Sequence, residues 1–309
     1  MKNVALSDLP PETVKRLLSE GRLYLHLGPY VTALSTKDAG VREFLTDMYQ
    51  DCSILVGEEA LVDFSLEVRA PNLVRRYIRR QIVADPGFYF PAVPLPVKLG
   101  PLCLEMGMNL CVALQSFRQA IFHAGVVSDQ KGGIVIAARS GGGKSTLTAA
   151  LMEEGFRLLS DEFAILCAET SFLLAYPRPV SLKNQSIDVV RVFAGADQVS
   201  DRLTGTPKGD IAYRRLRKSD LETANLPAKA KLILFPRFQA EAAPAVEKMD
   251  IADAAMQLIA SSPNYQVIGE PAFHALMQML DGVEAYEITY GNTEDSLMLV
   301  KDLWEAVDG

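Results

Sequence analysis

The 309-residue sequence predicts an α/β fold, a larger α/β domain preceded by a small α+β region, on three observations. The stretch "GIVIAARSGGGKSTLTAALMEE" passes from an apolar, strand-like segment through glycines into a helix-like one. Downstream, strand signals recur ("FRLLS", "FAILC", "SFLLAYP", "AKLILFP") and helical ones dominate the tail ("DIADAAMQLIASS", "PAFHALMQML", "TEDSLMLVKDLWEAV"). Finally, "FPAVPLPVKLGP" holds four of the seventeen prolines in twelve residues, a break that divides residues 1–95 from residues 96–309.

The elements of the first region follow from local chemistry. "SDLPPETVKRLLSEG" has a capping side chain, prolines suited to a first turn, and a stop at Gly21. "RLYLHL" and "YVTALS" read as short strands around Gly28-Pro29, and Val41 to Tyr49 as a helix with Phe44, Leu45 and Met48 on one face. "VDFSLEVR" alternates as a half-buried strand does. "RQIVADPGFYF" reads as a hairpin turning at Asp85-Pro86-Gly87. In "RRYIRR", a helix would align Arg75 with Arg79 and Arg76 with Arg80, a basic face that solvent or an acidic peptide would meet.

In the second region, "PLCLEMGMNLCVALQSF" reads as a largely buried helix and "IFHAGVVSDQKGGIVIAA" as two strands around a polar turn at Asp129 to Gly133. Composition is that of a soluble globular protein, 49% hydrophobic and 22% charged, and no apolar run reaches the about 20 residues of a membrane span. A formal charge of −7 argues against nucleic acid as a partner, because binding phosphates needs a positive field. Cys52, Cys103, Cys111 and Cys167 form no paired motif and read as free thiols. The expectation is a cytoplasmic protein with no membrane partner, and a homo-oligomer is compatible with the sequence.

The glycine stretch has the chemistry of a phosphate cradle. Gly143, Lys144 and Ser145 supply the second half of a P-loop, with Ala138 where the first glycine usually stands. Ser140, Gly141, Gly142 and Gly143 let backbone N–H groups turn inward, and the start of the following helix adds unpaired donors and a partial positive charge. Lys144 is placed to reach the phosphates of ATP, Thr146 lies in the same first turn, and the Ser145 hydroxyl suits the shell of Mg²⁺. Seventeen residues after Lys144, Asp161 and Glu162 end an apolar segment. If that segment lies beside the P-loop strand, one acid serves Mg²⁺ and the other accepts a proton from an attacking hydroxyl.

The order "HAGVV", P-loop, "GFRLLSDE", with His123 fifteen residues before Ala138, resembles the catalytic domain of HPr kinase/phosphorylase. "PLP", "LEMGMNLC" and "PRPVSLKN" bring the chain closer still to the HPr-kinase-related kinase A group. The resemblance implies an HPr-kinase-like (PEP-carboxykinase-like) P-loop fold for 96–309 and ATP-dependent phosphoryl transfer to a serine or threonine of a protein or peptide. It implies Asp161 as the base, His123 beside it, Lys144 and the loop on the nucleotide, and Ser145 with Glu162 on Mg²⁺. The family's second glycine signature has no counterpart between Thr170 and Leu216, so HPr itself is not the implied acceptor.

Among Arg178, Lys183, Lys208 and Arg237, the pair Lys183 and Arg237 is preferred as cations for the transferred phosphoryl group, with Arg237 assigned to the nucleotide. The competing readings are a non-catalytic nucleotide-sensing module and a small-molecule kinase. GTPase and transporter classes are disfavoured, because no base-reading or transporter signature occurs.

Overall fold

The computed structural model describes residues 2–57, 60–89, 92–139 and 141–307. Contacts divide the chain into two compact units, one of residues 1–115 with 201–210 and one of residues 116–200 with 211–309.

The first unit is built on a seven-stranded sheet of order β1-β4-β2-β3-β5-β6-β7. Its elements are β1 (Lys2–Ala5), α1 (Pro11–Glu20), β2 (Leu23–Leu27), β3 (Tyr30–Thr36), α2 (Ala39–Met48), β4 (Ser53–Val56), β5 (Phe64–Arg69), α3 (Leu73–Tyr77), β6 (Gln81–Asp85), β7 (Leu95–Pro96) and α4 (Gly100–Gln115). Helix α1 starts on Pro11 and stops where Gly21 takes φ +69°, a conformation that costs glycine little. Asp38 caps α2 by accepting from the Val41 N–H, and the expected face is buried as Val41, Phe44, Leu45 and Met48. β5 alternates buried and exposed residues throughout, as its sequence predicts.

Three expectations are corrected here. Helix α4 belongs to the first unit and not to residues 96–309, because it packs on β5, β6 and α2. With the preceding turn it makes one run, Val97–Gln115, long and apolar enough by length and composition to cross a membrane. Leu102, Cys103, Leu104, Met108, Cys111 and Val112 of that helix are core residues, so it reads as the core helix of this unit. The hairpin expected at Asp85-Pro86-Gly87 does not form in the described residues. β6 pairs instead with β5 and, over two residues, with β7, while Phe88 and Tyr89 are exposed and Phe90 lies outside the description.

The second unit has a six-stranded sheet of order β11-β9-β10-β17-β19-β18 and a three-stranded one of order β13-β12-β8. Its elements begin with β8 (Gln119–Phe122), β9 (Gly125–Ser128), β10 (Gly133–Ile136), α5 (Lys144–Glu153), β11 (Arg157–Ser160), β12 (Ala164–Cys167), β13 (Leu173–Leu174), β14 (Val180–Lys183) and α6 (Gln185–Ala194). After β15 (Leu203–Thr206), which groups with the first unit, come β16 (Gly209–Arg214), α7 (Lys218–Glu222), β17 (Ala230–Phe238), β18 (Ala245–Met249), α8 (Ile251–Ser261), α9 (Tyr265–Ile268), α10 (Glu270–Leu280), β19 (Glu284–Tyr290) and α11 (Thr293–Ala306).

The large sheet is mixed. β10, β17 and β19 run parallel, whereas β9 is antiparallel to both β10 and β11. Alternate residues feed two cores. Ile134, Ile136, Leu232, Leu234 and Ile288 join α5, α6 and α11 on one face. Val135, Ala137, Ile233, Phe235 and Ala285 join α8, α10 and the small sheet on the other. Burying each of the Val, Leu, Ile and Phe side chains among them fully is worth about 1.5–3 kcal/mol, so the strand ends that carry the site are firmly held.

Candidate functional site: the loop before α5 and the acids after β11

The parallel strands β10 and β17 end on the same side of the sheet, and the glycine loop follows β10 there. Gly141 and Gly143 take φ of +88° and +93°. A Cβ on Gly142 would sit 3.0 Å from the Pro236 carbonyl, and one on Gly143 would sit 2.5 Å from the Tyr290 hydroxyl. The loop is therefore a turn that only glycine fits, closed against the ends of β17 and β19, with the Phe238 N–H donating to the Gly142 carbonyl at 3.3 Å. Ala138 is accommodated where the usual first glycine would stand. Ser140 lies outside the described residues.

The first turn of α5 meets Asp161. The Ser145 hydroxyl donates to Asp161 Oδ2 at 2.9 Å, the Ser181 N–H of β14 donates to the same oxygen at 3.3 Å, and the Lys144 ammonium donates to the Asp161 carbonyl. The same ammonium stands 3.5 Å from Oδ1, an oxygen that is buried and accepts no hydrogen bond among the described residues. Asp161 is 4% exposed, and Thr146 is half-buried one residue along the helix.

The expected strand adjacency is not what brings Asp161 there. β9 lies between β10 and β11, so the acids cross one strand to reach the loop. Gly125, the first residue of β9, makes the crossing possible: a Cβ there would fall 2.7 Å from Thr148 Oγ1 and 3.5 Å from the Asp161 carbonyl.

His123 reaches the acids by a second device. β8 and β12 pair in the small sheet, β9 and β11 in the large one. The links between sheets, residues 123–124 and 161–163, thus run side by side. His123 Nδ1 comes to 3.6 Å from Glu162 Oε2, with the imidazole ring edge-on to Phe163. Burial and then the nearby Lys144 charge hold His123 below its ordinary value of 6.5, so the neutral imidazole prevails at pH 7. Burial alone would raise Glu162, but Lys144, His123, Lys183 and Arg178 outweigh it and lower its carboxyl.

Lys183 and Arg178 thus act on Glu162 through their fields. Arg178 is 5% exposed and stacks over Tyr176, with 5.1 Å from the guanidinium carbon to the ring centroid. Next to Lys183, Asn184 takes φ +52°, a left-handed conformation for a non-glycine residue in a loop that feeds the site. Arg237, at the end of β17, directs its guanidinium to Glu287 at 2.9 Å and not to the Lys144–Asp161 cluster. Lys208 lies in the 201–210 segment that groups with the first unit. Sequence reasoning missed the Ser181 N–H, Gly125 and Tyr290. Gly125 had a signal, the glycine of "HAGVV", whereas the other two depend on long-range pairing.

The oxygen donors of Ser145, Asp161 and Glu162, with one buried carboxylate oxygen unbonded, suit a hard cation such as Mg²⁺. The glycine turn and the Lys144 ammonium at the start of α5 suit phosphate. A cleft of about 790 Å³ lies elsewhere, at the opposite ends of β17 and β19 beside Lys231, Gly282 and Glu284, and contains none of the predicted residues.

No family model matches the chain, and no curated protein matches it. Solved structures that are similar include the HPr(Ser) kinase/phosphatase from Coxiella burnetii, at 15% identity, covering 60% of this chain and 94% of that one with a TM-score of 0.25. A likeness at that TM-score carries no argument about fold or chemistry, which rest on the geometry above.

Proposed function

We propose that this chain transfers a phosphoryl group from ATP to a serine or threonine hydroxyl of a protein or peptide in the cytoplasm. One observation carries the reading: the loop lysine and serine of α5 converge on a buried aspartate, with a histidine–glutamate pair beside it. Gly141 and Gly143 leave their backbone N–H groups to the phosphates, while the Gly142 N–H closes the loop on the Arg139 carbonyl at 2.9 Å, and Lys144 and Thr146 add side-chain donors. Arg237 stands at the end of β17 as a further cation. Ser145 and Glu162 hold Mg²⁺, which when bound neutralises charge on the transferred group. Asp161 accepts the proton of the acceptor hydroxyl as that oxygen bonds phosphorus and the bond to ADP breaks. His123, half-exposed beside Glu162, orients the acids.

A second reading exchanges the acids. The Asp161 carboxylate is already held by Ser145, Ser181 and Lys144, whereas Glu162 and His123 are the more exposed pair. Here Asp161 orients Ser145 and the metal, and Glu162 takes the proton.

Transfer from radiolabelled ATP, with acceptors supplied as a cell lysate and as serine- and threonine-containing peptides, separates these readings. Lys144→Ala is expected to abolish labelling. Asp161→Asn is expected to lower kcat about a hundredfold or more with nucleotide affinity retained. The exchanged roles would instead give that loss in Glu162→Gln, and weakened Mg²⁺ dependence in Asp161→Asn. ATP and Mg²⁺ binding with label on no acceptor would overturn catalysis and leave a nucleotide-sensing module.

A further inference from the structure

The link between β5 and β6 does something unusual for a soluble surface. Leu73, Val74, Tyr77 and Ile78 are 75%, 61%, 72% and 63% exposed, and α3 buries no residue at all. Four large apolar side chains within six residues make the kind of exposed patch that marks an interaction site. Arg75, Arg76 and Arg79 lie among them. None of the three forms an ion pair among the described residues, although Arg76 stacks over Tyr77 at 5.6 Å, while Arg80 is the member that pairs, with Asp38 at 3.6 Å. The expected alignment of Arg75 with Arg79 on one helix does not occur, because α3 ends at Tyr77 and Arg79 takes φ +46°.

The strand this arm enters has an open edge. β7 covers β6 only at Gln81 and Ile82. Pro94 and Pro96 lack the N–H groups needed to extend the ladder. Val83 to Asp85 therefore have β5 on one side and no strand on the other among the described residues.

We propose that the 73–79 arm and the adjoining edge of β6 form a docking surface for an acidic, partly apolar peptide segment of a partner protein. Charge complementarity selects the partner's sign, since the guanidinium fork pairs with carboxylates in a bidentate manner. An extended peptide also adds a strand beside Val83 to Asp85, where none lies among the described residues, as in strand addition. A lipid surface offers that edge nothing. Glu67 and Asp85 are paired with Arg69, and the net charge of −7 opposes adsorption on a broad anionic bilayer more than contact with a short peptide. The proposal is independent of the catalytic reading.

The test is a peptide-display selection on the immobilised full-length chain, counter-selected with the Arg75→Glu/Arg76→Glu/Arg79→Glu variant. Enriched peptides are then measured by fluorescence anisotropy at low and high salt. We expect acidic sequences carrying large apolar residues, weakened by salt. Both the charge-reversed chain and Tyr77→Ser/Ile78→Ser should bind them about tenfold or more weakly, with unfolding midpoints unchanged because the arm buries nothing. Enrichment of neutral or basic peptides, or of none that distinguish wild type from both variants, would overturn the proposal. So would co-sedimentation of the wild type, but not the charge-reversed chain, with phosphatidylserine vesicles in the absence of any selected peptide, which would make the arm a membrane contact.

Discussion

At the residue scale, the glycine loop is shaped as much by Tyr290 as by its own sequence. The Tyr290 hydroxyl is buried with no hydrogen-bond partner among the described residues, burial pushes its acidity well below that of an ordinary phenol, and it occupies the space a Gly143 side chain would need. Gly143→Ala is therefore expected to lose about 1–3 kcal/mol of stability, through both the positive φ and the clash, and to weaken nucleotide binding. Tyr290→Phe removes an unsatisfied buried group, so its stability in urea unfolding should be unchanged or raised by about 1 kcal/mol. The double variant should recover only the part of the Gly143→Ala loss that comes from the clash. A clear destabilisation by Tyr290→Phe would mean that the hydroxyl is bonded in solution. A second residue-scale prediction concerns acid. The hydrogen bond from Arg69, at 2.7 Å, holds the Asp85 carboxyl below its ordinary value of 3.8. A lowered carboxyl stabilises the fold above its unfolded value, and the contribution is lost as pH falls through the folded one. Asp85→Asn should thus cost up to about 1 kcal/mol near neutrality, because the pair is partly exposed. Its urea midpoint should converge with that of the wild type in strong acid; a constant gap would assign the loss to packing.

At the element scale, β11 delivers Asp161, and a polar anchor from α7 fixes where β11 begins. Asp220, 1% exposed, accepts the Leu158 N–H at 2.8 Å and pairs with Arg217, whose guanidinium also donates to the Met152 and Phe156 carbonyls. Asp220→Ala removes the carboxylate paired with that cation and leaves the buried Leu158 N–H without its acceptor, a loss of about 1–3 kcal/mol. Hydrogen exchange should quicken at Leu158 to Ser160 before the core strands respond. Nothing in "RLRKSDLE" announces this role, since a basic–acidic run reads equally well as a solvated surface turn. By contrast α1, α2, β5 and α5 were legible, because a glycine stop, the apolar face of Phe44, Leu45 and Met48, strict alternation or a glycine loop acts within a few residues. The missed features all depend on which strand meets which. The insertion of β9 between β10 and β11, the double hop between sheets that seats His123 beside Glu162, and the packing of α4 on β5 are long-range choices. Local periodicity carries no record of them.

At the scale of the whole molecule, the two units have separate cores, and the described residues singled out for phosphate, metal and proton transfer lie in the second, except Lys208, which lies in the first. The spacing of His123, Lys144 and Asp161 was legible as a pattern, but its meaning comes from the fold: the lysine and serine that would meet a nucleotide are already bonded to Asp161. On the proposed function, nucleotide binding would be an exchange of partners, with Lys144 moving its interaction from the aspartate to phosphate. Mg-ATP should stabilise the wild type by about 2.7 kcal/mol at a concentration one hundred times its Kd, and Lys144→Ala should lose that shift. The exchange makes a less intuitive prediction. With magnesium chelated, the Asp161 carboxylate only competes with phosphate for Lys144 and repels the anion, so Asp161→Asn should bind ATP more tightly than the wild type, on the order of tenfold. With magnesium restored, the same variant loses an oxygen donor beside Ser145, and the advantage should shrink or reverse. Isothermal titration under both conditions reads this directly. Weaker metal-free binding by Asp161→Asn would show that the aspartate holds the loop in its binding shape, and that Lys144 is pre-positioned by Asp161 and not restrained by it.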